Sequence, residues 1–390
     1  LTAAPLRVLD INNFYSPVGG GIRVYHQEKM RWCRENGVQC ALVYPSGRDS
    51  ATDFQGGTMY AVKSPPLARS GYHFFVRGGP LREIIASYKP DVVELGSGIV
   101  VPGMVRKSIR GLRSFGFYHS NWPVALPLSV FDITGGPIPG WFRRFAVPRM
   151  GRAYRGLNAV MGASETSLSV LREGGVKNLR KAPLGAHPGI FTPEARSEDL
   201  RRELGVGPGG RLLLYMGRLA PEKGIHVLLE TCPLLFREPG TVVAVAGRGH
   251  WRNRVRRAQS RFGGRLRLLP HASQSGRGAA LMASADAFLS MGPCDTFSLV
   301  TLEALCCGTP VAACREAAAA ELVTGAGGKS VYGPWNDPRA LRDAVGAALE
   351  EAPAKKTAFR EFAGKFTWDA CFRRIFAIYG EDFRAAEAQA

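Results

Sequence analysis

Apolar positions in this chain follow two alternating rhythms. Leu6–Ile11, Val38–Tyr44, Asp91–Leu95, Phe115–His119, Asn158–Gly162 and Leu179–Ala182 are short apolar runs of strand length. Between them, Ile22–Glu35, Pro80–Tyr88, Val101–Leu112 and Ser164–Glu173 carry the helical period. Residues 45–80 are rich in Gly, Pro and Ser and read as irregular, with one short strand near Met59–Val62. The alternation then starts again. Arg211–Gly217, Val242–Ala246, Arg265–Leu269 and Asp286–Ser290 read as strands. Ile225–Phe236, Arg277–Ala283, Leu299–Leu305 and Pro338–Glu350 read as helices. Strands alternating with helices predict an α/β fold with parallel sheets. The two series predict two Rossmann-like domains, 1–183 and 195–366, joined by a Gly- and Pro-rich linker over 184–194. Residues 367–390 hold a last amphipathic helix, Trp368–Phe383.

Three loops at strand ends carry candidate chemistry. Gly19-Gly20-Gly21 follows the first strand and opens a helix, so backbone can approach a ligand closely there. It is not the strict Gly-x-Gly-x-x-Gly fingerprint of dinucleotide sites. Gly217-Arg218-Leu-Ala-Pro-Glu-Lys223-Gly224 puts two cations on one loop, a planar fork and a point charge that can hold a diphosphate from two sides. Asp295-Thr-Phe297-Ser298-Leu299-Val300-Thr-Leu-Glu303-Ala follows another strand. There Asp295 and Ser298 offer N-cap oxygens, and the N–H groups of Ser298, Leu299 and Val300 lie between two carboxylates at a positive helix terminus. His119 ends the Phe115–His119 run, where open α/β sheets place ligands. The plain alternatives are a tight turn, a solvated basic loop and a strand-end histidine satisfied by backbone.

These motifs resemble those of retaining glycosyltransferases of family 4 with the GT-B fold. That family carries two acids in the context Glu-x-Phe-Gly-Leu-Val-x-Leu-Glu-Ala, matched here at Phe297, Leu299, Val300, Leu302, Glu303 and Ala304. Asp295 stands where the family has Glu, Ser298 where it has Gly, and Asn121 where related sequences have Asp. The loop Gly217–Gly224 matches the family's Gly-Arg-x-x-x-Glu-Lys-Gly in full. The resemblance implies two domains facing a cleft, with the last helix crossing back onto the first domain. It implies transfer of a hexose from a GDP-sugar or UDP-sugar to a hydroxyl acceptor, lipid-linked or polysaccharide, with mannose favoured over glucose or galactose. Arg218 and Lys223 would stabilise the leaving diphosphate, and Asp295 and His119 would hold the sugar. Glu303 would hold the ribose, with Gly20, Gly21, Phe297, Ser298, Leu299 and Val300 completing the donor site. No Asp-x-Asp occurs in the chain, so neither a bridging metal nor a further cofactor is expected.

Charge adds a partner. Of the 51 Lys and Arg and 32 Asp and Glu, residues 1–190 hold 24 and 11, so most of the net charge of +19 lies in the first half. A polyanionic partner follows, anionic lipid in the first instance, through Arg106, Lys107, Arg110 and Arg113 and the segment Trp141–Arg155. In that segment Pro148 is expected to start the helix. No stacking platform for nucleic acid is evident. The eight cysteines show no metal spacing, and no apolar run is long enough to span a membrane. Residues 1–9 lack a leader pattern. The expected location is cytoplasmic, peripheral on the inner face of the plasma membrane. A reading of another class stays open: a basic membrane- or polyanion-binding protein whose donor site has decayed at Asp295, Ser298 and Asn121.

Overall fold

In the computed structural model the described residues are 4–67, 72–96, 98–131, 140–272 and 276–381. They divide into two compact units. The first takes those within 1–123, 140–184 and 368–390; the second takes those within 124–139 and 185–367.

The first unit holds an eight-stranded sheet. Its strands are β1 (Arg7–Ile11), β2 (Gln39–Ser46), β3 (Ser50–Phe54), β4 (Gly57–Lys63), β5 (Val92–Leu95), β6 (Arg113–Phe117), β7 (Ala159–Gly162) and β8 (Leu179–Lys181). The order is β3-β4-β2-β1-β5-β6-β7-β8. All pairings are parallel except β3 with β4, which form a short hairpin in the stretch expected to be largely irregular. One layer of its core packs Leu9, Val43, Val93 and Leu95 against Leu81, Ile85 and Val105 from the flanking helices. The C-terminal helix Trp368–Tyr379 belongs to this unit and buries Phe372, Ile375, Phe376 and Tyr379.

The second unit holds β9 (Arg211–Met216), β10 (Thr241–Ala246), β11 (Leu266–Leu269), β12 (Ala287–Ser290), β13 (Val311–Cys314) and β14 (Val331–Tyr332). The order is β11-β10-β9-β12-β13-β14, all parallel. Successive strands first run outward from β9 on one side, then resume at β12 on the other. The switch point between β9 and β12 is where a doubly wound sheet leaves a crevice outside its carboxyl ends.

Three helix expectations need correction. Val101–Leu112 is helical only over Val101–Val105, and residues 106–111 are turns. Pro102 and Gly103 are poor helix formers, and Gly111 takes a left-handed φ of 84°, so propagation fails. Arg106, Lys107, Arg110 and Arg113 therefore do not share a helix face. Pro148 does not start a helix but lies inside Gly140–Ala153, whose buried Ala146, Val147, Met150 and Gly151 sustain it despite the lost N–H. The helix from Pro338 runs on to Ala363 through Pro353, carried by burial of Phe359 and Ala363.

Candidate active site

The second unit's switch point is built by two loops that touch backbone to backbone. The loop after β9 passes through a short 3-10 turn, Pro221–Lys223, to Gly224, which has φ 71° and starts the helix Ile225–Leu235. A side chain there would be strained, and its Cβ would lie 2.9 Å from that of Met291 in the loop after β12. Across the same contact, a Cβ on Gly292 would lie 2.7 Å from the Glu222 carbonyl oxygen. Glycine at both places lets the loops close on each other.

That closure brings the cations and carboxylates together. The Lys223 ammonium pairs with the Asp295 carboxylate. The Arg218 guanidinium meets the buried Glu222 carboxylate at 3.0 Å, while the Tyr215 hydroxyl donates to the Arg218 carbonyl at 2.7 Å. Both cations remain partly exposed. Each is held by a neighbouring acid in a way that an incoming diphosphate, with more charge and more acceptor oxygens, can compete with.

The helix Leu299–Cys306 begins at Ser298, but not as expected. Ser298 takes a left-handed backbone, φ 72°, and its side chain caps no N–H; its Oγ lies 2.9 Å from the Thr301 hydroxyl. Nor is Asp295 a cap, because its carboxylate is spent on Lys223. The first-turn N–H groups of Leu299 and Val300 are thus left to the open helix start. The position of Ser298 calls for the conformation that glycine adopts freely. Phe297 is buried with its ring 6.2 Å from that of Phe366, so it anchors the loop rather than lining it. Glu303 is buried in the body of the helix.

Gly20 and Gly21 start the helix Gly21–Glu35 in the first unit and are exposed, with nothing within 4 Å of a Cβ added at Gly20. His119 follows β6, buried, stacked on Phe117 at 4.1 Å and 3.9 Å from the Glu94 carboxylate. Burial pushes its pKa down, with Glu94 opposing, so the neutral imidazole dominates at pH 7. His119 stands at the edge of a larger buried network that sequence reasoning missed. The Lys29 ammonium, fully buried, donates to Asp10 at 2.7 Å and to the Tyr379 hydroxyl at 3.0 Å, and lies 3.2 Å from Glu94. His26 bridges Asp10 at 3.0 Å and Asn12 at 2.9 Å. The Tyr25 and Tyr379 hydroxyls donate to Glu94. Burial alone would push the Glu94 carboxyl up, but Lys29, His119 and Tyr379 hold it well below the usual range. Burial alone would lower the Lys29 ammonium, but Asp10 and Glu94 raise it well above its ordinary value. The available signal was a charged residue inside each of two apolar strands, Asp10 in β1 and Glu94 in β5.

Among the described residues no group of three His, Cys, Asp or Glu converges as a metal site. All eight cysteines are buried and free. No helix of the described residues is long and apolar enough to cross a membrane.

Comparison with known proteins adds the class. Residues 196–366 match the family model for Glycosyl transferases group 1. A GDP-mannose-dependent alpha-(1-6)-phosphatidylinositol dimannoside mannosyltransferase of Mycobacterium tuberculosis is 26% identical over 383 residues, 96% of each chain. A D-inositol 3-phosphate glycosyltransferase of Actinosynnema mirum is 34% identical over 217 residues, 51% of each chain. Among solved structures, sucrose-phosphate synthase from Thermosynechococcus elongatus superposes with TM-score 0.76 at 17% identity, covering 96% of this chain and 98% of that one. An alpha,alpha-trehalose-phosphate synthase (UDP-forming) from Burkholderia xenovorans gives 0.75 at 12% identity, covering 96% and 100%. The chain therefore has the GT-B architecture of two Rossmann-like α/β units with a C-terminal helix. Residues 196–366 thus carry the glycosyl transferases group 1 match, and the chain is related along its length to nucleotide-sugar-dependent hexosyltransferases.

Proposed function

We propose that the protein moves a hexose, with mannose favoured, from GDP-mannose to a hydroxyl on a lipid-borne acceptor, retaining the anomeric configuration and needing no metal. The carrying observation is the pair of cations Arg218 and Lys223 on the loop after β9, locked through Gly292 to the loop that starts the helix Leu299–Cys306. In this reading they and the N–H groups of Leu299 and Val300 take the diphosphate, in the place where other transferases use a cation. Glu303 takes ribose hydroxyls, and Asp295, freed as Lys223 turns to phosphate, takes the sugar. His119, kept neutral, offers the sugar a hydrogen bond. The acceptor oxygen attacks the anomeric carbon as its bond to the diphosphate oxygen breaks. That oxygen leaves on the same face and accepts the acceptor's proton.

The mannose and lipid parts draw on the mycobacterial relative similar over 96% of each chain, a GDP-mannose-dependent phosphatidylinositol dimannoside mannosyltransferase. The first unit's surface supports a lipid partner: Trp141 and Phe145, one turn apart on the helix Gly140–Ala153, are 70% and 51% exposed among arginines. Such aromatics enter an interface while arginines meet headgroups. The rival reading, a basic binding protein with a decayed donor site, draws on both cations being already paired with acids. Nucleotide release from GDP-mannose, UDP-glucose and UDP-galactose, with and without EDTA, separates the two. The proposal expects release of GDP from GDP-mannose that survives the chelator. Binding without release from any donor would favour the rival.

A further inference from the structure

We infer that the first unit carries a second, phosphate-binding pocket at the amino ends of β6 and β7. A cavity of about 420 Å³ lies there, lined by Arg106, Arg110, Arg113 and Arg155 together with Ser114 and Asn158. The corrected course of the chain creates it. With the helix ended at Val105, residues 106–111 turn back and deliver Arg106 and Arg110 to the mouth of the strand that begins at Arg113. The floor is rigid. Ser114 N–H donates to the Asn158 side-chain oxygen at 2.8 Å, and Asn158 N–H returns a bond to the Ser114 carbonyl at 2.8 Å. Arg155 comes from the turn just before β7.

The charge in this cavity is nearly uncompensated. Arg113 pairs with Glu381. Among the described residues Arg106, Arg110 and Arg155 meet no carboxylate. Arg106 reaches only the carbonyls of Arg152, Ala153 and Arg155, at 3.4–3.5 Å, too long to count as good hydrogen bonds. Guanidiniums cannot relieve mutual repulsion by losing protons. Three of them converging on a concave surface are therefore stabilised by an anion, and their planar forks match phosphate oxygens in pairs. The ligand class is a phosphate monoester or diester, either on a lipid headgroup or on a soluble molecule. The site is distinct from the proposed chemistry. Ligands of a parallel sheet sit at carboxyl ends, and His119 lies beyond that end of β6, roughly 20 Å of extended chain from Arg113. The inference does not rest on the donor reading.

Equilibrium dialysis with radiolabelled inorganic phosphate at low ionic strength tests it. The Arg218→Ala protein is used throughout, to weaken the proposed diphosphate site. Saturable phosphate binding is expected, weakened at least about tenfold when Arg110→Gln and Arg155→Gln are added. Lysine at both positions should weaken it less, because charge is kept and only the forks are lost. Both arginines are exposed, so the fold should persist, which far-UV circular dichroism checks. Vesicles of phosphatidylinositol in phosphatidylcholine, added in excess, identify the source. Displacement of labelled phosphate assigns the pocket to a lipid headgroup, and saturable binding without displacement assigns it to a soluble phosphate ester. Phosphate binding that is non-saturable, or unchanged in the glutamine variant, overturns the inference.

Discussion

Lys29 is the residue whose loss the first unit should tolerate least. Lys29→Met keeps most of the stem and removes an ammonium that is fully buried between two carboxylates. At an effective dielectric near 20, its attractions to Asp10 at 2.7 Å and Glu94 at 3.2 Å are about 6 and about 5 kcal/mol. The ammonium's own desolvation, several kcal/mol, is returned on removal, leaving a net loss of roughly 3–5 kcal/mol. That is a large part of the stability of an ordinary domain. The sign with pH is also fixed. In the native protein the Glu94 pKa lies below its unfolded value, so its contribution is complete above the ordinary carboxylate range and fades as pH falls through the folded value. Without Lys29, burial of Glu94 loses its largest opposing charge, and that carboxyl rises above its unfolded value. The variant then takes up protons on folding, and its deficit should narrow from pH 7.5 to pH 5.5. Adding Glu94→Gln should recover part of the loss, since one uncompensated charge goes. Hydrogen exchange by mass spectrometry over β1 and β5, in a urea series, reads this unit apart from the other. A deficit below about 1 kcal/mol, or one that ignores pH, would refute the view that these charges are dry and mutually dependent.

Arg218→Ala and Lys223→Ala should each slow turnover by about 2–4 kcal/mol of transition-state stabilisation, measured as kcat with the fold checked by circular dichroism; full turnover in either removes the diphosphate role. Asp295→Asn should cripple turnover and leave GDP affinity nearly intact if, as proposed, it serves the sugar and pairs with Lys223 only in the free protein. Unchanged turnover would make Asp295 a bystander. Trp141→Ala with Phe145→Ala should reduce flotation on phosphatidylglycerol vesicles at low salt without reducing donor hydrolysis, and equal flotation would remove the aromatic anchor.

Much of the second unit was legible because its strands are uninterrupted apolar runs and its loops are punctuated by Gly and Pro. Gly217–Gly224 and the helix from Leu299 fall close to where periodicity put them. The backbone state of Ser298 was not legible. A serine before an apolar run reads as a cap, but at φ 72° its side chain turns to the Thr301 hydroxyl and misses the N–H groups. The basic cluster was misjudged for a related reason. Spacing of three and four makes one face only on a helix, and Val101-Pro-Gly-Met-Val105 cannot propagate one. The arginines still converge, but through a turn and with Arg155 contributed from a separate segment. The Asp10–Lys29–Glu94 network was hidden because its members lie far apart in sequence, each looking like an isolated exception to a buried pattern. Tyr379 joins them from the last helix of the chain.

Titration calorimetry with GDP in excess EDTA asks only whether these loops hold a nucleoside diphosphate. The intact protein should bind one GDP. The Arg218→Ala/Lys223→Ala protein should bind at least about 100-fold more weakly, from two charge-assisted contacts of roughly 1.5–3 kcal/mol each. Equal affinity in the two proteins, or no binding by the intact one, would contradict the assignment.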